Sequence, residues 1–221
     1  ATCSGPEVVS GEGAGQSRTG TAVDLAGNTA TFTVGNINID KTPPSITGAR
    51  SPGANGSGWN KTDVTVSFTC SDGLSGIASC SGPQRVTGEG VGQSRTGTAV
   101  DLAGNAVMFT VGGINIDKTP PTVSFGAQNP AANAAGWNNT DVSIPFAPAD
   151  TLSGVASTSP GSPLVLSVEG TVVTGTVTVT DGAGNSATLT SPPVKIDKTP
   201  PAISVAQSPP HNEFGWNNTD V

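Results

Sequence analysis

An all-β fold of the sandwich or barrel class is predicted by three features of this 221-residue sequence. Short runs of Val, Ile, Thr and Phe alternate apolar with polar residues. The runs are punctuated by 30 glycines, 18 prolines and many asparagines, which favour turns between short strands. Leu, Glu, Lys and Ala at a 3.6-residue spacing, the mark of an amphipathic helix, are missing.

The organisation is repetitive. The stretch DLAGNTATFTVGNINIDKTPP (24–44) returns as DLAGNAVMFTVGGINIDKTPP (101–121) and, more loosely, as DGAGNSATLTSPPVKIDKTPP (181–201). The DKTPP segments begin at Asp40, Asp117 and Asp197, 77 and 80 residues apart. A second motif keeps the same step: GWNKTDV (58–64), then GWNNTDV (136–142 and 215–221). Periods this long denote tandem domains rather than solenoid units. The chain therefore divides into the back part of one repeat (1–44), two whole repeats (45–121 and 122–201) and the start of a further one (202–221). The two end fragments together lack a counterpart of 65–77, so the expectation is a window on a longer polypeptide.

Each element follows from its residues. Val64, Val66, Phe68 and Cys70 alternate with Thr65, Ser67 and Thr69, as in a half-buried strand. AGN at 103–105 supplies the residues that tolerate positive φ, so a hairpin turn is expected there. In the last strand Phe109 and Val111 share one phase, and Ile114 and Ile116 the other. The flip falls at Gly112-Gly113, with parallels at Gly35-Asn36 and Pro192-Pro193. One extra residue at such a pair marks a bulge or strand break, and suggests an irregular edge strand that resists aggregation. DKTPP, with two successive prolines, reads as a short stiff linker.

Alternating Thr/Val strands, D-x-A-G-N, a closing strand and D-K-T-P-P together resemble the bacterial immunoglobulin-like repeats of large secreted and surface (adhesin-type) proteins. The resemblance spans essentially the whole chain. It implies tandem Ig-like β-sandwich domains of six to seven strands in a linear array, and a spacer or stalk role outside the cell.

Cys70 and Cys80 bracket a short loop, and Cys3 occupies the position of Cys80. Pro148 and Thr158 replace both members in the third copy. Joint presence and joint loss fit a Cys70–Cys80 disulfide, hence an oxidising extracellular compartment.

Chain direction places acids together. If each repeat starts at one end and leaves at the other, the loop holding Asp72 and the turn holding Asp101 meet the preceding linker. Glu12, Asp40, Asp72 and Asp101 should then converge. The next junction should gather Asp63, Glu89, Asp117, Asp150 and Asp181. Two readings stand side by side: the acids cap turns through backbone N–H groups, or they ligate Ca²⁺ as hard oxygen donors, a reading the resemblance to adhesin repeats supports. Lys41, Lys118 and Lys198 offer a third outcome, neutralising the cluster themselves. Trp59 and Trp137 are candidates for interdomain packing against the Pro120-Pro121 and Pro200-Pro201 linkers. An equal alternative is a core or loop-anchoring role. Asn60, Asn138 and Asn217 begin N-x-T sequons, read as turn chemistry or, in a glycosylating source, as acceptors on an exposed loop.

Net charge is −7, which disfavours nucleic acid and anionic membranes as partners. No apolar run is long enough to span a bilayer. The single histidine, His211, leaves no Ser–His–Asp or Cys–His set within a repeat. The expected role is non-enzymatic: a stalk, surface-layer or filament element whose partners are neighbouring repeats and other copies of the chain. The alternative is an adhesin or accessory module that recognises glycan or protein.

Overall fold

The structure is a computed structural model describing residues 1–220; Val221, at the end of the 202–221 segment read as the start of a further repeat, lies outside them. It is all-β, built of small antiparallel sheets of two or three strands. β1 (Thr2–Cys3), β2 (Gly13–Val23) and β3 (Thr29–Ile39) form one sheet in that order. The second repeat contributes β4 (Ser45–Ser51), β5 (Val64–Ser71), β6 (Ile77–Cys80), β7 (Gln84–Val86), β8 (Gly90–Asp101) and β9 (Ala106–Ile116). These six strands make two sheets, β4-β5-β7 and β6-β8-β9.

The third repeat is more broken. β10 (Thr122–Phe125) pairs with β12 (Phe146–Ala149), whereas β11 (Val142–Ile144) pairs with β14 (Leu164–Leu166). Pro145 separates β11 from β12, because a proline has no N–H to continue the ladder. β13 (Val155–Ser159), β16 (Thr176–Asp181) and β17 (Ser186–Thr190) form a further sheet, and β15 (Gly170–Val173) pairs with β18 (Val194–Ile196). Pro192-Pro193 interrupts the last strand between β17 and β18. No helix among the described residues is long and apolar enough to cross a membrane.

Two compact units emerge. One comprises Ala1–Pro121 with Asp150–Ala156 and Thr180–Ser186; the other comprises Thr122–Ala149, Ser157–Val179 and the residues from Ala187 on. In the first, Val64, Val66, Val86, Ile114 and Ile116 are fully buried, with Phe68 and Val111 packed against them. The core thus lies between the two sheets of the second repeat. Each such side chain stabilises by roughly 1.5–3 kcal/mol on burial. A Cβ at Gly97 would stand 2.6 Å from the Phe68 ring, so that glycine makes room for the aromatic. The second unit buries Val142, Ile144, Phe146, Leu164, Leu166, Val173, Val177, Val179, Val194 and Ile196. There Phe125 meets Phe146 edge-on at 6.3 Å.

The phase flip is a bulge. Gln93 opposes Ile114 and Arg95 opposes Val111, so three steps on β9 face two on β8. Gly113 takes the extra step at φ 67°, and Asn36 does the same at φ 60° between Val34 and Ile37 of β3. The bulge turns Ile114 and Ile116 into the core while Phe109 stays 39% exposed. It does more than blunt an edge. Asn60 pairs with the far side of Ile116, donating to Asn115 O and accepting from Asp117 N, both at 2.9 Å. The closing strand is thereby covered where the linker begins.

Candidate metal centre at the linkers

Three segments place the first site. The D-L-A-G-N turn folds around Asp101, whose Oδ1 accepts from Asn105 N and whose Oδ2 accepts from Asn105 Nδ2, both at 2.8 Å. Gly104 completes the turn at φ 95°. The loop after β5 folds around Asp72, whose Oδ1 accepts from Leu74 N at 3.0 Å and Gly76 N at 2.8 Å. The linker supplies Asp40: Oδ1 accepts from Thr42 N at 3.1 Å and Oδ2 from Ser75 N at 2.9 Å. Asn105 Nδ2 also donates to the Asp40 carbonyl at 3.2 Å. Linker, loop and turn are thus joined, and one carboxylate oxygen each of Asp40, Asp72 and Asp101 lies within 4.8 Å of the others.

Asp117, Asp150 and Asp181 repeat the arrangement within the same compact unit. Asp181 accepts from Asn185 N and Nδ2 at 2.8 Å. Asp150 accepts from Leu152 N at 3.1 Å and Gly154 N at 2.6 Å. Asp117 accepts from Thr119 N at 3.1 Å and Ser153 N at 3.0 Å, and its carbonyl from Asn185 Nδ2 at 3.0 Å. The turn-capping role is therefore present at every acid of both trios. It leaves coordinating capacity, since Asp72 and Asp150 each receive hydrogen bonds on Oδ1 alone.

Asp101 in the first trio, and Asp117 and Asp181 in the second, are at most 2% exposed, so each trio gathers three like charges in a partly desolvated space. A cation among like carboxylates held this close relieves their mutual repulsion. The linker lysines do not supply it. Lys41 Nζ donates to Ser10 O at 2.7 Å, and Lys118 Nζ to Thr87 O at 2.7 Å and Asp63 at 3.0 Å. Lys198 Nζ reaches Ser167 O at 2.7 Å and Asp141 at 2.9 Å. The donor set fits a hard divalent cation: the carboxylate oxygens lie within 4.8 Å of one another, no farther apart than about twice a Ca–O distance of 2.3–2.6 Å. Beside Asp40, the Ser75 Oγ is buried without a hydrogen-bond partner. That hydroxyl is close enough to hold Asp40 below the ordinary aspartate range, aided by the Thr42 and Ser75 amides and opposed by desolvation.

Three expected members fall outside the trios. Glu12 accepts from Lys41 N at 2.7 Å and from the Thr42 hydroxyl through both oxygens at 3.0 Å. Glu89 does the same with Lys118 N and the Thr119 hydroxyl, the latter at 3.1 Å. Asp63 pairs with Lys118 at 3.0 Å and Arg85 at 2.8 Å, and the Lys118 contact lowers its pKa first. All three grip the linker from its own repeat, because the strand ends carrying them lie on the side that the linker leaves. Glu169 and Asp141 are the third-copy equivalents, unmarked in the sequence reading. The signal was a fixed step of 29 residues from each glutamate to the linker lysine.

The remaining expectations are placed as follows. Cys70 and Cys80 form a disulfide with Cα atoms 5.9 Å apart, tying β5 of one sheet to β6 of the other; Cys3 is free and exposed. Trp59 and Trp137 are half-buried, with their amides capped by Asn55 and Asn133. The Trp137 ring faces Lys195 of its own repeat, with Nζ 5.7 Å from the centroid. Pro121 is buried, whereas Pro120, Pro200 and Pro201 are exposed. Asn60 and Asn138 are 4% exposed, which removes them as glycan acceptors in the folded chain. Their side chains bond inward, Asn60 Nδ2 to Gly53 O at 2.8 Å and Asn138 Nδ2 to Lys195 O at 3.2 Å.

No protein-family model and no curated protein matches the chain. Among solved structures it is similar to the fibronectin(III)-like modules of Clostridium thermocellum CbhA, with 16% identity over 73% of this chain and all of that one, at a TM-score of 0.33. It is also similar to a Ca²⁺-stabilized adhesin of an Antarctic bacterium described as binding ice, with 18% identity over 83% of this chain and 57% of that one, at a TM-score of 0.31. Likeness at this level identifies no family.

Proposed function

We propose that this chain is a non-enzymatic structural segment of a long extracellular protein, a stalk, surface-layer or filament element made of tandem Ig-like repeats. One observation carries the reading: the same linker–loop–turn constellation is built twice, at Asp40 and at Asp117. A binding or catalytic site belongs to one place, whereas a joint belongs to every place where repeats meet. Calcium is the cation proposed for the trios, held by Asp40, Asp72 and Asp101 and by Asp117, Asp150 and Asp181. When bound it would supply charge neutralisation and tie linker, loop and turn together. The partners proposed are adjoining repeats and other copies of the chain, and the disulfide supports an oxidising, extracellular setting.

Single-molecule pulling on the 221-residue chain tests this role. Unfolding steps of one repeat each are expected, at 3.3–3.6 Å per residue about 260–290 Å in the third repeat and about 220–240 Å in the second, where the Cys70–Cys80 disulfide withholds the span it closes, at forces that fall when calcium is chelated. Calcium-independent forces together with saturable binding to a glycan or protein array, mapped to one repeat, would favour an adhesin module instead.

A further inference from the structure

We propose that Glu12 and Glu89 are positioning residues for the two acidic trios: each grips the linker so that Asp40 or Asp117 is aimed before a cation arrives. This inference rests on the calcium reading of those trios. The glutamates do not touch the trios. Each accepts from the two residues that follow the trio aspartate, the lysine amide and the threonine hydroxyl. The lysine returns Nζ to the carbonyl two residues before the glutamate, Ser10 O or Thr87 O, at 2.7 Å. A closed clasp results, made of charge-assisted hydrogen bonds. Within it the aspartate Oδ1 caps the threonine amide at 3.1 Å, which fixes the direction of the carboxylate.

The third copy separates cause from consequence. Glu169 accepts from Lys198 N at 2.6 Å and from the Thr199 hydroxyl at 3.2 and 3.1 Å, and Lys198 Nζ reaches Ser167 O at 2.7 Å. The clasp is complete there, yet Asp197 is exposed, and among the described residues its carboxylate receives only Thr199 N. The clasp therefore forms without a trio around it. It belongs to the repeat that the linker leaves, and it keeps the threonine-amide-to-Oδ1 contact seen at Asp40 and Asp117, at 3.1 Å in all three copies. Outer groups that orient ligands change metal affinity without contacting the metal. Removing one also makes binding carry the cost of ordering the linker.

Calcium titration calorimetry on the full chain tests the inference. Wild type should take up two ions. Glu12→Ala and Glu89→Ala should each weaken one ion by about 10-fold or more and leave the other unchanged. Glu89→Gln, whose amide oxygen still accepts from Lys118 N, should recover part of the loss. Thr119→Val, which keeps the glutamate and removes one donor, should give a smaller loss at the same ion if Glu89→Ala fails to fold. Two ions bound at wild-type affinity in both alanine variants, or in Glu12→Ala and Thr119→Val, would overturn the positioning role while leaving the calcium reading intact. Heats of calcium addition that do not change in Asp101→Asn would overturn the calcium reading, and this inference with it.

Discussion

Asp101 carries two tasks on one carboxylate. It closes its own turn through Asn105, and it turns one oxygen toward Asp40 and Asp72. Replacing it with alanine removes both. The expected loss is about 1–3 kcal/mol from unsatisfied turn amides alone, read from urea unfolding in chelator, with a larger deficit when calcium is present. A residue-scale contrast is available at the next position of the turn. Leu102 is 70% exposed, whereas its counterpart Gly182 lies so close to the Ser153 carbonyl that a Cβ would approach it at 2.5 Å. Gly182→Ala should therefore cost about 1–3 kcal/mol by overpacking, and Leu102→Ala no more than about 0.5 kcal/mol, both read from urea midpoints. Asp24, Asp40 and Asp63 have pKa values below the ordinary 3.8. Their first causes are the Asn28, Ser75 and Lys118 side chains. The unfolded chain then binds more protons in acid, so their contribution is complete above that value and disappears as pH falls through the lowered folded values. Thermal midpoints in chelator should be flat near neutrality and fall on acidification below about pH 4. Asp40, Asp72 and Asp101 could be placed together from sequence because strand direction alone decides which turns share an end. Glu12, Glu89 and Asp63 could not, because direction does not say from which side a side chain reaches the linker.

At the scale of the element, β9 shows how little sequence is needed to place a core. The change of phase between Val111 and Ile114 was readable, and Gly113 at φ 67° accomplishes it. Deleting Gly113 should return Ile114 and Ile116 to the outer face. A collapse of cooperative unfolding in this repeat, seen as loss of hydrogen-exchange protection in β5 and β9, is the expected outcome. The pairing of Asn60 with Ile116 was not legible, since an isolated parallel bridge has no periodic signature. The division of one third-repeat strand into β11 and β12 was visible in principle at Pro145, but only the fold shows that the halves take different partners. The Cys70–Cys80 link closes a short loop between sheets, worth roughly 2–3 kcal/mol. The Cys70→Ser/Cys80→Ser pair should lower stability by that amount, measured by chemical unfolding, and should leave the third repeat, which has Pro148 and Thr158 instead, unaffected.

For the whole molecule, the proposed functional unit is a repeated joint rather than a single site. The all-β class was legible because it depends on alternation and on turn residues. The clasp and the closeness of the trios were not, because they depend on side chains reaching across 29 to 68 residues of chain. The most direct measurement is anomalous diffraction from crystals of this chain grown with calcium. One ion is predicted among Asp40, Asp72 and Asp101 and one among Asp117, Asp150 and Asp181, with Lys41 and Lys118 still folded back onto Ser10 and Thr87. Trios without anomalous density, bridged by those lysines instead, would contradict the account.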